Sequence, residues 1–201
     1  MRRLFLVLGM TLFALAGQAA EPMSLKPGEV LRGRFVQERF LKGFDRPVRS
    51  EGTFVLAPGR GLIWRGETPF PVVTAITSGG IVQSVDGQET MRLSAAKIPF
   101  LARLYDMMGG AMAGDWKALE NDFVVSRREQ GKESLVTLSP KRGESGAQPF
   151  RELTARVGQF VEQVEVIKAD GDHDRLTFRD QGVTAAPLAS EETAILEAAA
   201  R

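Results

Sequence analysis

After residue 30, apolar and polar positions alternate in runs of strand length, separated by turn residues. "LRGRFVQERFL" (31–41) comes first, then a polar turn over 43–49, "EGTFVLA" (51–57), the turn "PGRG" and "LIWRG" (62–66). "FPVVTAITS" and "GIVQSVDGQETMRLS" follow, the latter folded about Asp86-Gly87, a pair that favours a two-residue hairpin turn. "DFVVSRREQGKESLVTLSP" turns near Gln130-Gly131, and "FRELTARVGQFVEQVEVIKADGDHDRLTFRDQ" supplies the last strands. In that last run Val164, Val166 and Lys168 share one face, against Val161, Glu165 and Ile167 on the other. Short turns make neighbouring strands antiparallel.

Two segments carry a helical period instead. In "IPFLARLYDMMGGAMAGDWKALE" (98–120), Pro99 suits a helix start, and Phe100, Leu104 and Met107 form a stripe with Leu101 and Met108 beside it. Gly109-Gly110 interrupts the stripe, and Asp115 suits the cap of a second short helix. In the tail "SEETAILEAAAR", Ser190 is the expected N-cap, followed by acidic residues in the first turn. The reading is a single, mainly antiparallel sheet with an apolar helical insertion.

"LIW", "FVL" and "PVV" place apolar groups on both faces of their strands. A sheet with one wet face alternates cleanly, so part of this sheet is covered on both sides. A curved sheet packed on the helical insertion accounts for this. The pattern alone does not distinguish a core filled by the chain from a cavity that takes a ligand. Met107, Met108 and Met112 fit either reading: flexible thioethers fill cores and also suit surfaces that accept varied apolar partners.

The first residues change the picture. Arg2-Arg3, an apolar run from Leu4 to Ala16, and small residues at Gly17 and Ala19 have the form of a secretory signal peptide cut near Ala19. The expected organisation is therefore a signal peptide over 1–19 and one domain over 20–201, exported to the periplasm. Without Arg2 and Arg3 the 26 basic residues fall to 24 against 25 acidic, a formal net charge of −1. That balance gives no electrostatic case for nucleic acid. The chain has no Cys, hence no disulfide and no lipid-modified N-terminus.

Catalytic motifs are sparse. "DGDHDR" (170–175) starts like a calcium loop, but Arg175 stands where that loop needs Gly and Gln181 where it needs Glu, so a solvated hairpin turn is expected. "SAAK" (94–97) matches the S-x-x-K element of penicillin-recognising serine enzymes without either companion element. A small serine hydrolase using Ser94 and Lys97 is accordingly the weakest reading. No enzyme activity, metal or cofactor is expected.

The order of the segments resembles the LolA-type lipoprotein carrier family of the bacterial periplasm, as a divergent member. "GRFVQERF" is similar to the family's first strand, "SEGTFVLAPGRGLIWRGETPFP" to its central signature, and "GGIVQSVDGQETMRL" to its hairpin. "FVVSRREQGKESLVTLSPK" and "RVGQFVEQVEVIKADGDHDRLTFRD" resemble the later strand pairs. The resemblance implies an incomplete, strongly curved antiparallel β-barrel with a helical lid over an apolar cavity. It implies a monomeric carrier for the acyl chains of lipoproteins or another lipid, loaded by an inner-membrane transporter and relieved by an outer-membrane acceptor. Phe35, Phe54, Leu62 and Trp64 are then expected in the cavity wall, with Leu101, Leu104, Met107 and Met108 on the lid's inner face. Typical carriers place an Arg before the signature's Pro; here Ala57 precedes Pro58, and Arg60 is the substitute latch. The alternative on the same fold is a lipid- or peptide-sensing domain without transport.

Overall fold

The computed structural model describes residues 25–26, 28–98, 117–121, 123–141 and 150–201. Eleven strands form one antiparallel sheet: β1 (Val30–Phe40), β2 (Val48–Ala57), β3 (Gly61–Thr68), β4 (Val72–Thr77), β5 (Gly80–Val85), β6 (Gln88–Ser94), β7 (Phe123–Gln130), β8 (Glu133–Pro140), β9 (Phe150–Val157), β10 (Val161–Lys168) and β11 (His173–Thr184). The spatial order is β6-β5-β4-β3-β2-β1-β11-β10-β9-β8-β7. The chain thus forms two meanders, joined at the centre where β1 pairs with β11. The outermost strands β6 and β7 are consecutive in sequence, so segment 95–122 joins the two edges of an unclosed sheet. Residues Lys117–Asn121 form a 3-10 turn, where the sequence suggested a short α-helix, and Leu119 of that turn is buried.

Turn chemistry sets the hairpins as expected. Asp86 and Gly87 both take positive φ (50° and 77°), the conformation that matches strand twist in a two-residue turn. Gly131, at φ 66°, begins the turn between β7 and β8. The acidic loop is a hairpin turn: Gly171 N–H donates to Lys168 O (3.2 Å), and Asp172 N–H donates to Asp170 Oδ1 (3.0 Å). Ser94 ends β6 in a turn, where its hydroxyl accepts from Ala96 N–H (3.3 Å) and Lys97 is exposed.

One face assignment is corrected. Val161 is buried in the main core with Val164 nearby, not on the Glu165 face. A register shift between Val161 and Gln163 in the β9–β10 pairing inserts a residue and reverses the alternation.

Part of the sheet's second face is covered by the tail. Helix α1 (Ser190–Ala200) lies across β3, β4 and β5, and its Leu196 packs with Val30, Val55, Ala57 and Ile63. The consecutive "LIW" triplet is thereby explained: Ile63 faces α1, while Leu62 and Trp64 face the larger cluster on the opposite side. The N-cap of α1 is Ala189 rather than Ser190. Ala has no side-chain acceptor, so the first turn depends on Glu192, whose Oε2 accepts from Ala189 N–H (2.8 Å). The same carboxylate accepts from Arg32 on β1 (2.7 Å). At the other end Thr77 Oγ1 donates to Ala199 O (3.1 Å) and Arg92 donates to Ala198 O (3.2 Å), which satisfies carbonyls that the helix leaves free. Gly79 permits this approach, because a Cβ there would lie 2.8 Å from Ala200 O.

Candidate functional site

Cross-strand pairing lines up apolar residues on one face of each meander. Leu31 opposes Leu56, Leu56 opposes Leu62, Leu62 opposes Ile76 and Ile76 opposes Ile81. In the other meander Val125 opposes Leu138, Leu138 opposes Leu153, and Leu153 opposes Val166. Every strand except β6 contributes a residue to the resulting apolar cluster.

The centre of this face is aromatic. Phe35 and Trp64 stack with ring centroids 3.8 Å apart; Phe54 meets Phe178 edge-on at 5.4 Å, and Trp64 meets Phe178 edge-on at 6.0 Å. These distances reveal the curvature. Phe35 and Trp64 stand two strands apart, roughly 9.5 Å in a flat sheet, and Trp64 and Phe178 stand three apart, roughly 14 Å. Their rings meet because the sheet curls toward this side, which is therefore concave. The aromatic rings need room, and Gly33 provides it. A Cβ on Gly33 would lie 2.7 Å from Phe54 Cε1, so the ring rests directly on the β1 backbone. Phe35, likewise, has Gly52 as its partner on β2.

Polar groups border the apolar floor. Near the β7–β8 turn, Arg127 and Glu129 both bond to the buried hydroxyl of Ser134, with Arg127 donating (2.9 Å) and Glu129 accepting (2.8 Å). At the far end of β1, Asp174 receives Lys168 (3.0 Å) and faces Arg39 (3.6 Å). The convex side carries a separate recess of about 460 Å³ between α1 and β4–β6, lined by Val73, Ala75, Val82, Ile195 and Ala198, with Arg65 and Glu191 paired at 3.0 Å beside it.

The structure brings Phe35, Phe54, Leu62 and Trp64 together on the concave face; the first three are buried and Trp64 is partly so. Leu101, Leu104, Met107 and Met108 lie outside the described residues. Arg60 sits in the β2–β3 turn, with its guanidinium 3.7 Å from Glu197 of α1 and both side chains well exposed. Sequence reasoning missed Phe178, the residue that joins the two meanders through the aromatic cluster. Its signal was present in "RLTFRD", where Leu176 and Phe178 alternate with polar residues. Gly33 was missed as well, since a glycine inside a strand becomes informative only once the ring above it is known.

Over residues 24–198 the chain matches the family model described as outer membrane lipoprotein carrier protein LolA-like. The chain belongs to this LolA-like family. No curated protein matches it. Among solved structures, the LolA-like chain is similar to a LolA superfamily protein of Nitrosomonas europaea, at 9% identity and TM-score 0.42, covering 86% of this chain and 93% of that one. It is also similar to a DUF1329 family protein of Desulfovibrio piger, at 8% identity and TM-score 0.42, covering 82% and 89%. A third is a domain named for outer membrane lipoprotein sorting, from Vibrio parahaemolyticus, at 7% identity and TM-score 0.41, covering 87% and 93%. Among the described residues, no helix is long and apolar enough to cross a membrane.

Proposed function

We propose that this LolA-like protein is a periplasmic carrier that shields the acyl chains of lipoproteins, or of another lipid, and moves them from the inner toward the outer membrane. Residues 1–19 are its export signal and residues 20–201 one carrier domain. Phe35, Phe54, Leu62 and Trp64 form the wall against which a chain lies. The cover residues Leu101, Leu104, Met107 and Met108 belong to the segment that joins the two edges of the sheet. Arg60 is assigned the latch role through its position after Pro58. The carrier works as a monomer, with a transporter and an acceptor as its membrane partners.

One observation supports this reading above the others: an apolar concave face runs through nearly the whole width of a sheet that does not close on itself. A closed small barrel fills its interior with its own side chains, whereas an unclosed one needs a cover or a guest over the same surface. The energetics suit a shuttle. Each methylene kept from water contributes about 0.8 kcal/mol, so one palmitoyl-length chain represents about 12 kcal/mol. A lipidated protein leaves a bilayer at a useful rate only if another apolar surface accepts the chain. An aromatic wall with polar borders accepts the tail and leaves the attached headgroup or peptide in water.

The test is release. Delipidated protein is incubated with bacterial inner-membrane vesicles and the soluble fraction is examined for lipidated protein or lipid bound to the carrier. Soluble complexes that pass their lipid to outer-membrane vesicles are expected. If all lipid stays in the membrane, the carrier reading fails. Capture without onward transfer identifies a sensing domain on the same fold.

A further inference from the structure

Antiparallel order puts alternate turns at opposite ends of a sheet, so the β1–β2 and β3–β4 turns share one end and flank the β2–β3 pair. Each turn carries a phenylalanine in water. Phe44 in the first is 66% exposed and Phe70 in the second is 75% exposed, more than any other large apolar side chain described. Single exposed apolar residues are ordinary, but the two most exposed large apolar side chains described are both phenylalanines in turns at the same end of the sheet, which ordinary surface composition does not explain.

The first tip is held by hydrogen bonds. Phe44 N–H donates to Leu41 O (3.1 Å), and Lys42 N–H donates to Asp172 Oδ1 in the neighbouring β10–β11 turn (2.9 Å). Phe70 stands between Pro69 and Pro71, two residues that carry no N–H, so this tip presents few unpaired donors to an apolar medium. Around Phe44 the first turn carries Lys42 and Arg46 against the single acid Asp45, and Arg49 follows on β2. Arg49 pairs with Glu51 (3.2 Å), while Lys42 and Arg46 make no ion pair among the described residues.

We propose that this end of the sheet docks on an anionic bilayer surface, with Phe44 and Phe70 entering the acyl–headgroup boundary and Lys42 and Arg46 meeting lipid phosphates. Aromatic rings flanked by basic side chains are the chemistry of interfacial binding. With two rings and two cations the contact is weak and reversible, which lets the molecule leave the surface again. The inference concerns how the protein meets a membrane and stands whether or not the concave face holds a chain.

The experiment is flotation with vesicles of phosphatidylethanolamine and phosphatidylglycerol. The natural protein is expected to float with the vesicles, and Phe44→Ser with Phe70→Ser to lower the bound fraction about tenfold at unchanged thermal stability, since both rings are exposed. Lys42→Glu with Arg46→Glu weakens binding at low salt and has little effect at high salt. The Phe44/Phe70 variant takes up a fluorescent fatty acid in vesicle-free solution as the natural protein does, so loss of docking and loss of cargo binding are read separately. A natural protein that stays below the vesicles, as it would if the two rings met a protein partner instead, overturns the proposal. So does a double serine variant that floats equally well.

Discussion

Replacing Gly33 by Ala tests the packing that gives the concave face its shape. Gly33 has no left-handed φ, so alanine is compatible with its backbone. On intrinsic grounds the change should help, because alanine loses less freedom than glycine on folding, worth about 0.5–1 kcal/mol. The surroundings reverse that sign. The new methyl would lie 2.7 Å from Phe54 Cε1, 2.9 Å from Cζ and 3.1 Å from Arg179 O, whereas carbon atoms rest at about 3.5–4.0 Å. Phe54 is 1% exposed and edge-on to Phe178, so its ring has nowhere to swing. Overpacking of this kind costs about 1–3 kcal/mol, and two contacts under 3.0 Å put this site in the upper half of that range, which leaves a net loss of about 1–2 kcal/mol. In a urea titration with a slope of about 2 kcal/mol per molar, the midpoint falls by about 0.5–1 M. The same substitution in a Phe54→Leu background removes the clashing ring atoms, and its cost should disappear. Only the intrinsic gain of alanine then remains, so the coupling energy in that double-mutant cycle is about 2–3 kcal/mol. A Gly33→Ala protein as stable as the natural one, or an equal penalty with Leu at position 54, refutes the reasoning.

Other outcomes follow from the same geometry. Leu196→Ala leaves a cavity under α1 and should cost about 2–4 kcal/mol in urea unfolding, with faster amide exchange along the helix; no loss would mean that α1 does not seal the convex face. Gly61→Ala should destabilise too, because its methyl would meet Leu196 Cδ2 at 2.6 Å and Ile76 O at 2.8 Å, at a φ of 155°; unchanged melting contradicts this. Trp64→Glu should lower uptake of a fluorescent fatty acid at least about tenfold while the fold persists, since a carboxylate on the apolar wall is costly to cover; uptake at the natural level removes Trp64 from the wall. The Glu89 carboxyl is held below its ordinary range by the hydrogen bonds from Arg92. Its stabilising effect is therefore fully present above the ordinary carboxylate pKa and is lost as pH falls through the lowered folded value. Glu89→Gln should accordingly show a smaller fall in melting temperature between neutral and acidic pH than the natural protein, and an identical fall counts against the pairing.

Strand positions were legible because turn residues carry their own geometry: Asp86-Gly87 takes the two positive φ values that the pair predicts. The doubly apolar "LIW" also announced a second cover, but not which segment supplies it. The sequence pointed to the insertion, whereas Ile63 lies under α1 at the far end of the chain. Periodicity reports that a side chain is buried and is silent on its distant neighbour. Val161 was misplaced for a related reason, since a one-residue bulge in β10 reverses every face assignment beyond it. Four wall candidates, Phe35, Phe54, Leu62 and Trp64, do share one face, while Phe178 entered only through pairing across the two meanders.

Carrier function requires an acyl chain to lie against the aromatic wall, and Trp64 can report this itself. The chain has two tryptophans, so Trp116→Phe leaves Trp64 as the single emitter. Titration with a fatty acid brominated along its tail should quench that emission in a saturable manner, at one site per molecule. Bound brominated lipid with undiminished Trp64 emission, or no binding by the delipidated protein, contradicts the account.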